Sequence, residues 1–264
     1  MHEIADIACN FTSDRFDNDL DEVIDRAIAN HITKFGLICS RLRDIDKLLE
    51  IYNRYSKNMF FTIGVHPHHA NEINAEYLEK LKEVINKNNP HAIGETGLDF
   101  FRNLSTYEEQ MYAFEEQIKI AIDTNKPLFL HQRDSHEDFI KILRKYSSDI
   151  SKAVVHCFTG TQSQLDDYLE LDCYIGVTGW ICDEKRNVEL RKTIKSIPLS
   201  KLMIETDCPY LIPKNLLDKP KNNRNEPSYL NHIVTEISIL LDTDEEDVRN
   251  ESFKNTLSFF QSVN

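Results

Sequence analysis

The chain has 264 residues, 41% hydrophobic and 28% charged, an ordinary globular composition that is long enough for one large core and excludes a disordered chain. Its 44 acidic residues against 31 basic ones leave a formal net charge of −13. That balance excludes a protein that coats duplex DNA without sequence preference, because such affinity comes from cationic neutralisation of phosphates.

Residues 3–9 predict a first strand, and the polar stretch 10–14 leads into an amphipathic helix over 19–31 with Leu20, Val23, Ile24, Ala27 and Ile28 on one face. A second strand over 35–39 and a helix through Ile45, Leu48, Leu49, Ile51 and Tyr52 precede an apolar strand that ends on His66. Pro67 stops it, and a helix with Leu78, Leu81, Val84 and Ile85 at helical spacing follows. The fourth strand ends on Glu95 within Glu95-Thr96-Gly97-Leu98-Asp99. Ser105 and Thr106, with Glu108 and Glu109 three residues on, are overlapping capping boxes for a helix to about residue 125, whose Met111, Phe114, Ile118 and Ile122 face the sheet.

Residues 127–130 form a strand ending on His131, and a helix from Ser135 or His136 through Phe139, Ile142 and Leu143 leads to a strand ending on His156. Helix, strand, helix and strand then follow over 161–171, 173–177, 188–197 and 201–206, the last ending on Asp207. The stretch 211–227, rich in Pro, Asn and Lys, is one long loop before two closing helices near 229–241 and 245–260. Strands alternating with helices mean a parallel sheet covered by helices, and eight of them favour closure into a (β/α)₈ barrel with its site at the carboxyl ends of the strands. With no linker composition and no repeat, residues 1–264 read as a single domain.

Closure brings His66, Glu95, His131, His156 and Asp207 to one rim. Imidazoles mixed with carboxylates suit Zn²⁺, Mn²⁺ or Fe²⁺, while Mg²⁺ leans on the carboxylates. Glu95 is placed to bridge two ions, and Asp207 to ligate one and to orient or deprotonate an attacking water. His66 is intermediate, because the turn at Pro67 leaves room for a phosphate contact instead. His68 and His69 read as solvated loop residues, and His31, His91 and His232 as structural ones.

Arg102 and Arg133, just beyond strand ends, are candidate phosphate contacts. So are Lys214, Lys219, Lys221 and Arg224 in the loop after strand eight, a frequent phosphate-binding place in this fold. Trp180 and Tyr210 are candidate stacking faces for unpaired bases, at about 1–3 kcal/mol per base where stacking occurs. The six cysteines, Cys9, Cys39, Cys157, Cys173, Cys182 and Cys208, have no CxxC spacing and read as reduced core residues. With no targeting stretch at the N-terminus and no apolar run of membrane-spanning length, a cytoplasmic protein without membrane contact is expected.

Six segments carry a resemblance: Ile63-Gly64-Val65-His66-Pro67, Ile93-Gly94-Glu95-Thr96-Gly97-Leu98-Asp99, His131-Gln132-Arg133-Asp134, His156-Cys157-Phe158-Thr159-Gly160, Ile204-Glu205-Thr206-Asp207-Cys208-Pro209-Tyr210-Leu211 and Arg224-Asn225-Glu226-Pro227. They resemble, in order and over nearly the whole chain, the signature blocks of the TatD family of metal-dependent deoxyribonucleases. The resemblance implies a TIM barrel, divalent metal (Mg²⁺ first, Mn²⁺ or Zn²⁺ as alternatives) and 3′-to-5′ exonuclease action on single-stranded DNA or RNA. It implies metal ligation by Glu95, His131 and His156, with Asp207 as a further ligand or base. Where most of the family carries His-x-His at the end of strand one, Ala8 and Asn10 stand here.

Three readings meet at this rim. Hydrolysis of phosphodiester bonds by a metal-activated water leads, because the basic loop after strand eight favours phosphate. A small-molecule amidohydrolase would use the same ligand types. A nucleic-acid-binding scaffold that lost its chemistry with the strand-one histidines would not retain the remaining ligands. No obligate protein partner is evident.

Overall fold

The computed structural model describes residues 2–261; Met1 and residues 262–264, which the single-domain reading includes, lie outside the described residues. Eight strands pair in parallel in chain order. They are β1 (Ile4–Cys9), β2 (Ile32–Leu37), β3 (Met59–Ile63), β4 (Ala92–Asp99), β5 (Leu128–Arg133), β6 (Ala153–Val155), β7 (Tyr174–Val177) and β8 (Leu202–Ile204). A bridge between Cys9 and Cys208 joins the first strand to the segment after the last, so the sheet curls into the expected barrel.

The helices are α1 (Leu20–Ala29), α2 (Ile45–Arg54), α3 (Ala75–Asn88), α4 (Tyr107–Asp123), α5 (His136–Tyr146), α6 (Gln162–Glu170), α7 (Val188–Thr193), α8 (Leu230–Leu241) and α9 (Glu245–Phe260). Of the two overlapping capping boxes before α4, Thr106 with Glu109 forms; Ser105 is buried, its hydroxyl accepting from the Asn71 N–H. Thr161 and Gln164 make a second box at α6. His31 is not helical: α1 ends at Ala29, and His31 sits beyond it with φ 66°.

Phe259 and Phe260 from α9 pack with Phe60, Phe129 and Met203 near the starts of β3, β5 and β8, and the cluster continues through the barrel interior to Ile7 and Ala8 near the end of β1. Burying such rings contributes about 1.5–3 kcal/mol each, leaving the opposite rim free for chemistry. Ala8 is therefore a packed core residue at 1% exposure.

Strand ends differ from the sequence expectation in one instructive way. Glu95 and His131 lie inside β4 and β5, because the ladder continues through Gly97 beside His131 and Asp99 beside Arg133. Gly97 has φ +146°, and a Cβ there would stand 1.9 Å from the His131 carbonyl oxygen, so only glycine permits this continuation. β6 stops directly before His156, whereas β3 and β8 stop three residues before His66 and Asp207.

Candidate active site

Glu95 is the hub. Its Oε1 lies 2.9 Å from His131 Nδ1, 2.8 Å from His156 Nε2 and 3.2 Å from His66 Nε2. Burial works against charge on Glu95, but His66, His156 and His131 outweigh it and hold the carboxyl well below its usual range. Burial pushes His66 down to about 4, so its ring is neutral. Its Nδ1 accepts from the His68 N–H at 3.1 Å, which fixes the proton on Nε2, facing Glu95. The ligating atoms of His66, Glu95 and His131 lie within 4.8 Å of one another, so His66 stands at the place of an ion as well as within reach of a phosphate oxygen.

Asp99 and His68 join this centre, although neither was singled out in the sequence and His68 was expected to be solvated. Asp99 Oδ2 lies 2.7 Å from His68 Nε2 and 3.3 Å from His131 Nε2, and Oδ1 accepts the Arg102 N–H at 2.8 Å. Burial opposes charge on Asp99, yet His131 and His68 overcome it and hold the carboxyl below its ordinary range. The turn at Pro67 folds His68 back over the rim instead of out into water, which is why the loop reading failed. A signal existed: Asp99 follows Glu95 by four residues on one strand, and period-two alternation puts both on the same face.

Asp207 sits in the left-handed region at φ 54°, just past β8. Its Oδ1 accepts from Asn10 Nδ2 at 2.9 Å, and that amide nitrogen also donates to the Cys208 carbonyl at 3.1 Å. Asn10 thus faces the site with its donor end. Burial raises the Asp207 carboxyl to about 7, Glu95 and Glu205 adding to the shift while His156 and Asn10 oppose it.

That shift has a consequence for stability. A carboxyl whose folded pKa is raised stabilises the fold through its bound proton at low pH, and loses that contribution as pH rises through about 7. In metal-free protein, Asp207→Asn is therefore expected to raise Tm at pH 8, with the gain shrinking towards pH 4. Calorimetry in chelator checks this, and an equal gain at both pH values contradicts it.

Behind His156 stands a residue that sequence reading passed over. Glu205 is fully buried, with its Oε2 3.4 Å from His156 Nδ1, and neither atom has a hydrogen-bond partner. Its signal was a lone carboxylate in an otherwise apolar strand, two residues before Asp207. Burial opposes charge on His156, but Glu95 and Glu205 raise it well above the ordinary histidine range. His131 is likewise raised, burial being outweighed by Asp99 and Glu95.

These observations bear on whether a divalent cation fits. His131 and His156 face Glu95 where a cation would stand, with His156 Nε2 and Glu95 Oε1 as donors and Glu205 beside His156 Nδ1 to orient it. The donor set of imidazoles with Glu95 and Asp207 fits such an ion. A second buried group, Asp6, Cys9 and Cys208, has its ligating atoms within 4.8 Å of one another. The Asp6 oxygens are already taken by the Ala8 and Thr206 N–H groups and the Thr206 hydroxyl.

The remaining site residues divide. Arg133 is exposed and lies over the Phe101 ring at 3.9 Å, and Arg102 is exposed near Asp99. Trp180 is half-buried and Tyr210 is 54% exposed; both border one groove beside Asp207. Arg224 differs from the sequence expectation of a phosphate contact. It is 7% exposed, grips Asp19 with both Nη atoms at 2.6 Å and donates to the Arg15 carbonyl at 2.6 Å. The Asp19 carboxylate neutralises this guanidinium, so Arg224 carries no free charge for a phosphate.

A parallel eight-stranded barrel that gathers acid, base and ligand types at the carboxyl ends of its strands is the arrangement in which (β/α)₈ enzymes carry their active sites. Residues 5–261 match the model of the family described as TatD related DNase, and the chain belongs to that family of hydrolytic nucleases. It is 42% identical over 233 residues to an Escherichia fergusonii protein named 3′-5′ ssDNA/RNA exonuclease TatD, covering 88% of this chain and 89% of that protein. An Erwinia amylovora protein of the same name is 38% identical over 255 residues, covering 97% and 98%. The crystal structure of a TatD family hydrolase from Entamoeba histolytica superposes with a TM-score of 0.88 at 30% identity, covering 98% of each chain.

Proposed function

We propose that the protein is a divalent-metal-dependent 3′-to-5′ exonuclease on single-stranded DNA or RNA ends, with Mg²⁺ as its ion and Mn²⁺ or Zn²⁺ as alternatives. The observation that carries this reading is the convergence of three imidazoles on one Glu95 oxygen beside a carboxyl raised to about 7. The names of the bacterial relatives support the substrate. Glu95, His131, His156 and Asp207 would hold the ion, which when bound supplies Lewis acidity and a lower pKa for water.

Asp207, held by Asn10, takes the proton of the attacking water. His66, Arg102 and Arg133 donate to the non-bridging oxygens as charge builds on them. His68, clamped by Asp99, lines the same rim, and Trp180 and Tyr210 hold unpaired bases. The enzyme works in this reading as one unit over residues 1–264, in the reducing cytoplasm where its six free cysteines belong, with no obligate protein partner and no membrane. Among the described residues no helix is long and apolar enough to cross a membrane.

A 5′-labelled single-stranded oligonucleotide tests this reading. With Mg²⁺ or Mn²⁺ it should give a ladder shortening from the 3′ end, abolished by chelator, while a blunt duplex is cut poorly. Shortening from the 5′ end, or rapid cutting of a closed single-stranded circle, contradicts the reading.

Metal stoichiometry offers an independent check. Ala8 provides no ligand and Asn10 turns its nitrogen inward, so the dialysed protein should retain no more than about one ion per chain, since a two-metal clamp needs ligands for both. Two retained equivalents would show that other residues complete a second site.

A further inference from the structure

Between the loops that follow β7 and β8 runs a groove of about 390 Å³, a volume typical of a small-molecule site. Trp180, Tyr210 and Leu211 give it apolar and aromatic walls, and Arg15, Arg186 and Lys214 give it charge. Its edge begins at Pro209, two residues past Asp207, and the Tyr210 N–H donates to the Asp207 carbonyl at 2.9 Å. The groove's wall is thus built on the same segment that carries Asp207.

Arg15 arrives from the loop after β1 and is the least expected member. Its Nη1 donates to the Pro209 carbonyl at 3.2 Å, and its Nη2 to those of Asn222 and Asn223 at 3.1 and 2.8 Å. Among the described residues no carboxylate pairs with it, in contrast to Arg224 with Asp19 and Arg26 with Glu226. Arg186, by comparison, has its Nε 3.7 Å from Asp183. In a chain of net charge −13, a guanidinium pinned by carbonyl dipoles and left without a counter-ion is placed for an anion from outside.

We propose that this groove binds one unpaired nucleotide of the strand, next to the scissile phosphate, its base against Trp180 and Tyr210 and its phosphate on Arg15 with help from Lys214. The inference rests on the nuclease reading above and deepens it, by assigning a subsite and a phosphate contact. A base held there cannot keep its partner, so the groove selects single strands.

Trp180 is the chain's one tryptophan, which makes the groove directly visible. Full-length protein in chelator is titrated with a six-nucleotide oligothymidylate, following Trp180 fluorescence in one arm and the anisotropy of a 5′-labelled copy in the other. Both arms should give the same saturable affinity. Arg15→Ala should weaken binding about tenfold at low salt and make the slope of log K against log salt shallower by about 0.7, the contribution of one single-strand phosphate contact. Arg15→Lys, which keeps the charge, should retain the slope, and Lys214→Ala should lose a similar share of it.

Binding seen by anisotropy with Trp180 fluorescence unchanged would overturn the groove while leaving the nuclease reading intact. So would an Arg15→Ala loss with an unchanged salt slope, which would mark Arg15 as a staple between loops only. If the unmodified protein neither binds nor shortens the oligonucleotide, the nuclease reading falls and the groove assignment with it.

Discussion

Glu95→Ala is expected to lower kcat on single-stranded DNA by on the order of a thousandfold or more while the barrel stays folded. Three imidazoles share its Oε1, at 2.8, 2.9 and 3.2 Å, so removing it takes away the group that gathers the site as well as a charged ligand. Retained metal should fall in step. Glu95 is one side chain inside a parallel ladder whose pairing does not depend on it, so circular dichroism should be unchanged. A near-normal rate with near-normal metal content would place the chemistry elsewhere.

Asp207→Asn is expected to cost about 10²–10⁴-fold in kcat, the usual worth of a positioned base. Retained metal should fall as well, because the amide keeps the shape of the carboxyl but offers the proposed ion only a neutral oxygen. The pH profile gives a signature that a folding defect would not. In the unmodified enzyme activity should fall on the acid side, at or below about pH 7, as Asp207 takes up a proton. The residual activity of the variant should lack that limb. Retention of the limb would assign it to His131 or His156 instead.

The barrel and the residues that gather at its rim were legible because each is written locally. A run such as Leu128-Phe129-Leu130 ahead of His131, or Ala153-Val154-Val155 ahead of His156, carries its own strand and its own site residue. What could not be read depends on partners far off in sequence. Arg224 looked like one more loop cation, because the Asp19 that holds it lies 205 residues away. Asn10 showed only its side-chain type, and which end of its amide faces the site is decided by Asp207, 197 residues on.

Backbone conformation hid other parts. Cys157 and Asp207 adopt left-handed φ values of 50° and 54° without a glycine to mark them, so the turns that aim His156 and Asp207 are invisible in composition. His68 was misjudged because a loop residue was assumed to face water, although a short turn after Pro67 puts its ring 4.2 Å from that of His66. Asp99 and Glu205 could have been found: Asp99 shares a face of β4 with Glu95, and Glu205 directly follows the apolar β8, each a carboxylate whose burial is expensive without a partner.

In the proposed function one cation sits among Glu95, His131, His156 and Asp207. Crystals soaked in Mn²⁺ test it most directly, through an anomalous difference map. The expected result is a single strong peak about 2.0–2.3 Å from Glu95 oxygen and His131 or His156 nitrogen. A peak among Asp6, Cys9 and Cys208, with none beside Glu95, would contradict it.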